Sequence, residues 1–432
     1  MGKLIKKINE CKATISIIGL GYAGLPLLVE FAEYGFKSIG IDIDEKKIEK
    51  LNKGINYIRD IDNERVKRLT KSGLLKATTD FKVLKEVDAV SICVPTPLKK
   101  TKDPDISCIL DVLKELKKYI HKDMLIILES TTYPGTTNEL LLPELESNGL
   151  KVGKDFALAF SPERIDPGNI KYNIKNTPKV VGGVTNECGK IATLLYSKII
   201  DDVITVSSAK AAEMVKMLEN TFRAVNIGLV NEFAIMCDKL DLDTNEIIQA
   251  ASTKPFGFMP FYPGPGLGGH CLPIDPLYLS WKLKTLDYNA RFIELASEVN
   301  VNMPLYVVSK ITDGLNNQKK SVNGSKILIL GVTYKPDVDD IRESPALDII
   351  KLLMKKRADV VYNDPYAPYI QIDNTTLKSQ KLTDKVLSIS DCVVIVTDHH
   401  SYNWKNIVAK SRLIVDTRNA TKNFKLAKII KI

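Results

Sequence analysis

Residues 14–44 read TISIIGLGYAGLPLLVEFAEYGFKSIGIDID, and the fold turns on them. Thr14 to Ile18 is an apolar, β-branched run. It meets GLGYAG, then a segment from Leu25 to Tyr34 with apolar residues at helical spacing, then a second apolar run, SIGIDID. Strand, glycine turn, helix and strand in that order predict a βαβ unit. Gly19, Gly21 and Gly24 form a GxGxxG pattern, with Tyr22 inside it. Such glycines permit a tight turn, close backbone approach to a pyrophosphate, and close packing of helix on strand, with the phosphates at a helix N-terminus. Asp42 ends the second strand at the spacing where a carboxylate accepts from ribose hydroxyls and repels a 2′-phosphate, so NAD is expected rather than NADP.

Short apolar runs continue at Ala89 to Val94, Leu125 to Leu128, Phe156 to Phe160, Val180 to Gly182 and Val203 to Val206, with helical patterns between them. That alternation predicts a doubly wound parallel sheet. After Ser207 the pattern changes. Ala211, Val215, Leu218, Phe222, Val225 and Leu229 recur every three or four residues, which predicts one long helix of about eight turns. A second helical region is expected from about Pro276 past Pro304 to about Gly314. Then SVNGSKILILGVTYKP, VVYNDP, DCVVIVTDH and RLIVDTRN restore a strand-and-turn pattern. The expected class is α/β, with two Rossmann-like doubly wound parallel-sheet domains, residues 1–207 and 316–432, joined by a helical domain at 208–315.

The bulk composition excludes several classes. A chain of 432 residues with 44% hydrophobic and 26% charged residues is an ordinary globular composition, and no apolar run approaches a membrane span. The amino-terminal basic residues precede a glycine turn rather than a cleavage site, so the chain reads as mature and cytoplasmic. Seven scattered cysteines without a CxxC pair argue against a disulfide framework and against a zinc site, and no metal is expected. The formal charge of +9 comes from lysines interleaved with acids along helices, which reads as solvated surface and not as a nucleic-acid face.

One loop stands apart. Gly264 to Pro276 reads GPGLGGHCLPIDP, with Cys271 among glycines and prolines. Pro273 suits the first turn of a helix, which would set Cys271 near a positive helix N-terminus that favours a thiolate. Asp275, four residues on, is an acid/base candidate or a first-turn carboxylate that stabilises the helix. Nucleophile and packed core cysteine are both open for Cys271. On the long helix Lys216, Asn220 and Arg223 share one face at i, i+4 and i+7. They read either as a site for an oxyanion or phosphate, or as a solvated polar edge. His270 is assigned no catalytic role.

With these residues in hand the chain resembles the nucleotide-sugar 6-dehydrogenases, the UDP-glucose and GDP-mannose dehydrogenase family. The resemblance runs through GLGYAGLPL, the VPTP of Val94 to Pro97, the EST of Glu129 to Thr131, SPERI, KMLEN, GGHCLPID and VTYKPDVDDIRESP. It implies an NAD-binding domain, a central helix through which a homodimer forms, and a nucleotide-binding C-terminal domain with the active site between domains. It implies oxidation of a primary alcohol twice, with two NAD per sugar, giving a uronate for surface polysaccharide. By the same resemblance Cys271 forms the thiohemiacetal and thioester, Lys216 and Asn220 steady oxyanions, Asp275 and Thr131 hold a water, and Glu163 serves thioester hydrolysis. Thr96, Thr131 and Arg342 match cofactor contacts. Arg164, Arg223, Tyr262, Gly268, Tyr334 and Lys335, with Glu163, Lys216 and Asn220, match substrate contacts.

The UDP-glucose enzymes read GGSCFPKD around the cysteine, where this chain has His270 and Ile274 for their serine and lysine. UDP-N-acetylmannosamine enzymes carry a His and an Arg upstream, whereas KPFGFMPFYPGPG from Lys254 has neither. With NYIRDI at 56–61, the resemblance is nearest to UDP-N-acetylglucosamine 6-dehydrogenase; N-acetylgalactosamine, N-acetylmannosamine and glucose are the alternative sugars. A catalytically silent NAD- and nucleotide-binding module is the reading from another class. The presence of Cys271, Lys216, Asn220 and Asp275 speaks against it.

Overall fold

The computed structural model describes residues 1–58, 61–99, 101, 103–166, 168–169, 171–424 and 426–432. Arg59 and Asp60 of the NYIRDI stretch lie outside the described residues. The chain divides into two compact units: residues 1–219 with 281–287, and residues 220–280 with 288–432.

The first unit is built on eight strands: β1 (Thr14–Ile18), β2 (Lys37–Ile41), β3 (Leu75–Thr78), β4 (Ala89–Ile92), β5 (Leu125–Leu128), β6 (Ala157–Phe160), β7 (Lys179–Gly183) and β8 (Val203–Val206). Their order is β3-β2-β1-β4-β5-β6-β7-β8. β1 pairs in parallel with β2 on one side and β4 on the other. The chain thus reverses its direction of growth between β1 and β4, which places a ligand crevice at the carboxyl ends of these strands. Both faces are covered. Leu25, Leu28 and Phe31 of the helix Gly24–Tyr34 pack with Leu195 and Tyr196 on one side, and Ile109, Val112 and Leu116 of the helix Ser107–Tyr119 pack on the other.

Two details depart from expectation. β3, with the sequence LKAT, lacks the apolar β-branched run that marks the other strands, and it forms because an edge strand buries only one face. The sheet is not wholly parallel, because β6 and β7 pair antiparallel through Ala159 opposite Gly183 and Phe160 opposite Gly182. A parallel return needs a crossover, and no helix among the described residues lies between these strands.

The second unit carries a parallel sheet of β9 (Lys326–Leu330), β10 (Asp359–Asn363), β13 (Cys392–Ile395), β14 (Ile414–Asp416) and β15 (Ile429–Lys431), in the order β10-β9-β13-β14-β15. Between β10 and β13 a hairpin of β11 (Tyr369–Ile372) and β12 (Thr375–Lys378) stands apart. Helices again cover both faces of the sheet: Pro345–Lys355 and Arg291–Asn317 on one, Asp384–Ile389 and Trp404–Lys410 on the other.

The long helix is Ala209–Lys239, 31 residues, about 46 Å at 1.5 Å per residue. Ala212, Met217, Ala224 and Ala234 are its buried side, while Met214, Leu218, Phe222, Leu229, Phe233 and Met236 remain 43–63% exposed. The expected second helical region is two helices, Asp275–Lys284 and Arg291–Asn317. Asp287, at φ 57°, lies in the break, a left-handed conformation that helices do not continue through. A further helix, Thr244–Ala251, is capped by Asp243, whose carboxylate accepts from Asn245 N at 2.9 Å. No helix among the described residues is long and apolar enough to cross a membrane.

Candidate active site

In the first unit the glycine turn is a cradle. Gly19 has φ 94°, and a Cβ there would lie 2.5 Å from the Cys93 carbonyl; a Cβ on Gly24 would lie 1.9 Å from the Gly19 carbonyl. Neither site admits a side chain, so turn, β4 and helix meet backbone to backbone. A Cβ on Gly21 would meet nothing within 4 Å, so this glycine faces space rather than protein. That is the arrangement a pyrophosphate needs at a helix N-terminus. The residues present therefore fit NAD. Tyr22 is 40% exposed beside them.

Asp42 braces this turn. Its Oδ2 accepts from Leu20 N at 2.9 Å and pairs with Lys47 Nζ at 3.0 Å, and its Oδ1 accepts from Asp44 N at 2.9 Å. Lys47 offsets much of the negative charge on which the expected repulsion of a 2′-phosphate relied. Tyr57, from the NYIRDI stretch, donates to the Leu20 carbonyl at 2.7 Å, a support for the turn that no motif announced.

Thr96 is buried and Thr131 half-buried, in the segments that follow β4 and β5. The Thr131 loop is anchored by Glu213 of the long helix, which accepts from Thr137 N at 2.8 Å, Thr137 Oγ1 at 2.7 Å and Gly135 N at 2.5 Å. Burial pushes the Glu213 carboxyl up, and these three donors oppose the shift. Three residues further along the same helix, Lys216 donates to the carbonyl of Glu163 at 2.5 Å. The neighbouring Arg164 donates to the Pro178 carbonyl at 2.5 Å and pairs with Glu219. Burial raises the Glu163 carboxyl above the ordinary carboxylate range; Lys179 pulls it down and Glu129 adds to the rise.

In the second unit the cysteine loop is pinned by a chain of buried amides. Asn231 Oδ1 accepts from Gly264 N at 2.9 Å, Asn231 donates to Asn300 Oδ1 at 2.8 Å, and Asn300 donates to the Ala224 carbonyl at 3.2 Å. The glycine density has a local cause. A Cβ on Gly268 would lie 2.8 Å from Tyr334 Cβ, and one on Gly269 would lie 2.9 Å from the Tyr334 ring. Gly269 N also donates to the Arg342 carbonyl at 3.0 Å. These glycines let the segment that carries Tyr334 and Arg342 press against the loop.

Cys271 is exposed, and no disulfide links cysteines among the described residues. Its carbonyl accepts from Ile274 N at 3.1 Å and Asp275 N at 2.8 Å. Cys271 thus heads the turn that opens the helix Asp275–Lys284, with Pro273 inside that turn. Asp275 is 2% exposed, and its Oδ2 accepts from Asn220 Nδ2 at 2.5 Å, Asn220 itself being 7% exposed. The helix face therefore splits: Lys216 and Asn220 are buried and hydrogen-bonded, while Arg223 is exposed. Tyr262 is 55% exposed. The Arg342 guanidinium pairs with both oxygens of Asp340, at 2.9 and 2.7 Å. Burial lowers the His270 imidazole, and the nearby Arg342 charge adds to that.

Arg418 was not anticipated from the sequence. It follows β14, donates from Nε to the Val396 carbonyl at 2.8 Å, and sets Nη1 2.7 Å from where a Gly264 Cβ would be. The one available signal was a cation directly after the apolar strand in RLIVDTRN. Among the described residues no cluster of His, Cys, Asp or Glu would hold a metal ion.

A dinucleotide cradle, a second parallel sheet and an exposed thiol at a helix head define an NAD-dependent oxidoreductase with a separate nucleotide domain. Three sequence families agree: the UDP-glucose/GDP-mannose dehydrogenase NAD-binding domain matches residues 13–200, the central domain 210–302 and the UDP-binding domain 328–423. The chain belongs to the UDP-glucose/GDP-mannose dehydrogenase family. Protein CapL of Staphylococcus aureus is 36% identical over 94% of this chain and 95% of its own length. A UDP-N-acetyl-D-glucosamine 6-dehydrogenase of Pseudomonas aeruginosa is 35% identical over 82% of each chain. The solved structure of a UDP-D-ManNAc dehydrogenase from Pyrococcus horikoshii superposes with TM-score 0.88 at 33% identity, covering 97% of this chain and 99% of that one.

Proposed function

We propose that this chain oxidises the 6-hydroxyl of UDP-N-acetylglucosamine to the carboxylate, consuming two NAD and one water, with Cys271 holding the intermediate acyl group. The observation that carries this reading is the exposed Cys271 thiol at a helix head, on a chain that also buries the hydrogen-bonded pair of Asn220 and Asp275. NAD, when bound, accepts a hydride at each oxidation. Gly19, Gly21, Tyr22, Gly24, Asp42, Thr96, Thr131 and Arg342 hold it. Lys216 and Asn220 donate to oxygen as negative charge develops there. Asp275 and Thr131 hold the water, and Glu163 takes a proton from it when the thioester is cleaved. Arg164, Arg223, Tyr262, Gly268, Tyr334 and Lys335 bind the sugar nucleotide. The domains that divide this work are residues 1–207, 208–315 and 316–432.

The choice of sugar rests on His270 and Ile274 beside the thiol and on the lack of His and Arg from Lys254 to Gly266. The likeness to the Pyrococcus enzyme favours UDP-N-acetylmannosamine as a second reading. Purified protein is to be offered both sugars, with UDP-N-acetylgalactosamine, UDP-glucose and GDP-mannose, and NADH counted per sugar consumed. Two NADH, fastest with UDP-N-acetylglucosamine, is the expected result. Two NADH on another sugar discards the choice of sugar, one NADH discards the thioester, and none on any sugar turns the reading to a silent binding protein.

The exposed apolar stripe from Met214 to Met236 is the face through which two copies pair. A helix stripe of this kind is self-complementary about a two-fold axis, and a solvent-exposed apolar face of this length disfavours the monomer. Sedimentation is expected to show a dimer, and Leu218→Glu, at a position 63% exposed, is expected to yield folded monomer. A wild-type protein that stays monomeric at micromolar concentration refutes the pairing.

A further inference from the structure

Behind Glu163 lies a buried polar cluster that the reading above leaves without a task. Lys179, the first residue of β7, is 8% exposed and pairs at 2.7 Å with Glu129, which is 1% exposed at the end of β5. Ser91 donates to the same carboxylate at 2.6 Å, and Tyr196 donates to it as well. The Lys179 ammonium also lies 4.9 Å from the centre of the Tyr196 ring. A fully hydrogen-bonded ion pair at this depth holds one geometry, because removing one partner strands a buried charge.

The ammonium also donates, at 3.4 Å, to the carbonyl of Pro162. That carbonyl immediately precedes Glu163, whose own carbonyl is held by Lys216. Two lysines from different elements therefore grip consecutive carbonyls of the SPERI segment. The Glu163 side chain turns back to accept from Ile165 N. The charges that act on it are Lys179 from β7, Glu129 directly after β5 and Lys216 from the long helix, in that order of size after burial and with the Ile165 hydrogen bond between the last two. Cys93, after β4, is kept a neutral thiol by burial, and the Tyr196 hydroxyl is pushed up in the same way.

We propose that Lys179 is a positioning residue for Glu163: locked by Glu129, Ser91 and Tyr196, its ammonium fixes the backbone beside the carboxylate and supplies a positive charge that favours the carboxylate's ionised form in thioester hydrolysis. This rests on Glu163 serving that step. In it, water adds to the acyl carbon, one water proton passes to the Glu163 carboxylate, the C–S bond breaks and the Cys271 sulfur leaves as thiolate. No oxidant or reductant is needed. A protonated Glu163 cannot accept the proton, so the rate of hydrolysis falls on the acid side. Loss of Lys179 moves that fall to higher pH, and loss of the Glu129 charge moves it to lower pH.

The test follows acyl-enzyme by intact mass, and its hydrolysis against pH, in the full-length protein with NAD and the UDP-sugar that turns over fastest. Lys179→Met is expected to shift the acid limb up by about one pH unit and Glu129→Gln to shift it down by a smaller amount, since an opposite charge nearby moves a carboxylate by about 1–3 units. Lys179→Arg is expected to keep the wild-type profile. Should Lys179→Met fail to fold, the double variant Glu129→Gln with Lys179→Met, which removes both charges of the pair, is expected to give a limb between wild type and the expected Lys179→Met position. Folded variants whose limbs move the same way, or not at all, overturn the proposal, because a merely structural cluster has no reason to shift the profile in opposite directions. Glu163→Gln separates the two readings. If it does not accumulate acyl-enzyme, Glu163 is not the hydrolytic base and both readings fall; if it does while the charge variants leave the limb in place, only Lys179 loses its role.

Discussion

Replacing Cys271 with alanine is expected to abolish net formation of the carboxylate while leaving the affinity for NAD within about twofold, the range of an exposed substitution that removes no contact of the dinucleotide turn. The thiol is exposed at the head of the turn before the helix Asp275–Lys284, so its removal opens no core cavity. Its backbone, which carries the hydrogen bonds to Ile274 and Asp275, is unaffected by the change. The dinucleotide cradle of Gly19, Gly21 and Gly24 is formed by other residues entirely. Loss of a covalent nucleophile costs on the order of 10⁴-fold or more in kcat where the intermediate cannot form otherwise. Steady-state NADH production and a direct titration of NAD together read both halves. Turnover within tenfold of wild type, with two NADH per sugar, would remove covalent catalysis from the account.

Lys216→Met is expected to lower kcat by about 10²–10³-fold, the loss found when one donor to a developing oxyanion is removed. Methionine keeps most of the length and the apolar stem, so packing is largely retained at a position 8% exposed. In the present structure the ammonium donates to the Glu163 carbonyl, and that partner shows the lysine held in place rather than solvated on a polar helix edge. KM is expected to move far less than kcat, since an oxyanion donor acts mainly in the transition state. A fall in kcat below about threefold would return Lys216 to a structural role, because transition-state donors cost more than that.

The βαβ unit and its cofactor were legible because each rests on a local rule. A β-branched run, a GxGxxG turn and an amphipathic helix follow one another within residues 14–44, and Gly19 and Gly24 prove to be glycine for the steric reason that the motif encodes. The place of Cys271 and Asp275 at a helix start was legible in the same way, from Pro273 between them. Arg418, Glu213 and Lys179 were not. Each lies far along the chain from what it supports: Arg418 is about 150 residues from Gly264, Glu213 more than 70 from Thr137, and Lys179 50 from Glu129. Apart from the strand that precedes Arg418, nothing in their own neighbourhoods distinguishes them from ordinary charged residues.

The sequence by itself determined the α/β class, the dinucleotide turn, the 31-residue helix and the family, since these depend on periodicity and on short motifs read along the chain. Only the tertiary structure decided that Lys216 and Asn220 are buried and bonded while Arg223, on the same face, is exposed. It also decided that Gly268 and Gly269 yield to Tyr334, that Asp42 is already paired with Lys47, and that β7 runs against β6. The physical reason is common to all of them. Burial, charge pairing and steric contact are set by segments brought together across the fold, and a side chain's chemistry is fixed by those neighbours rather than by its place in the chain.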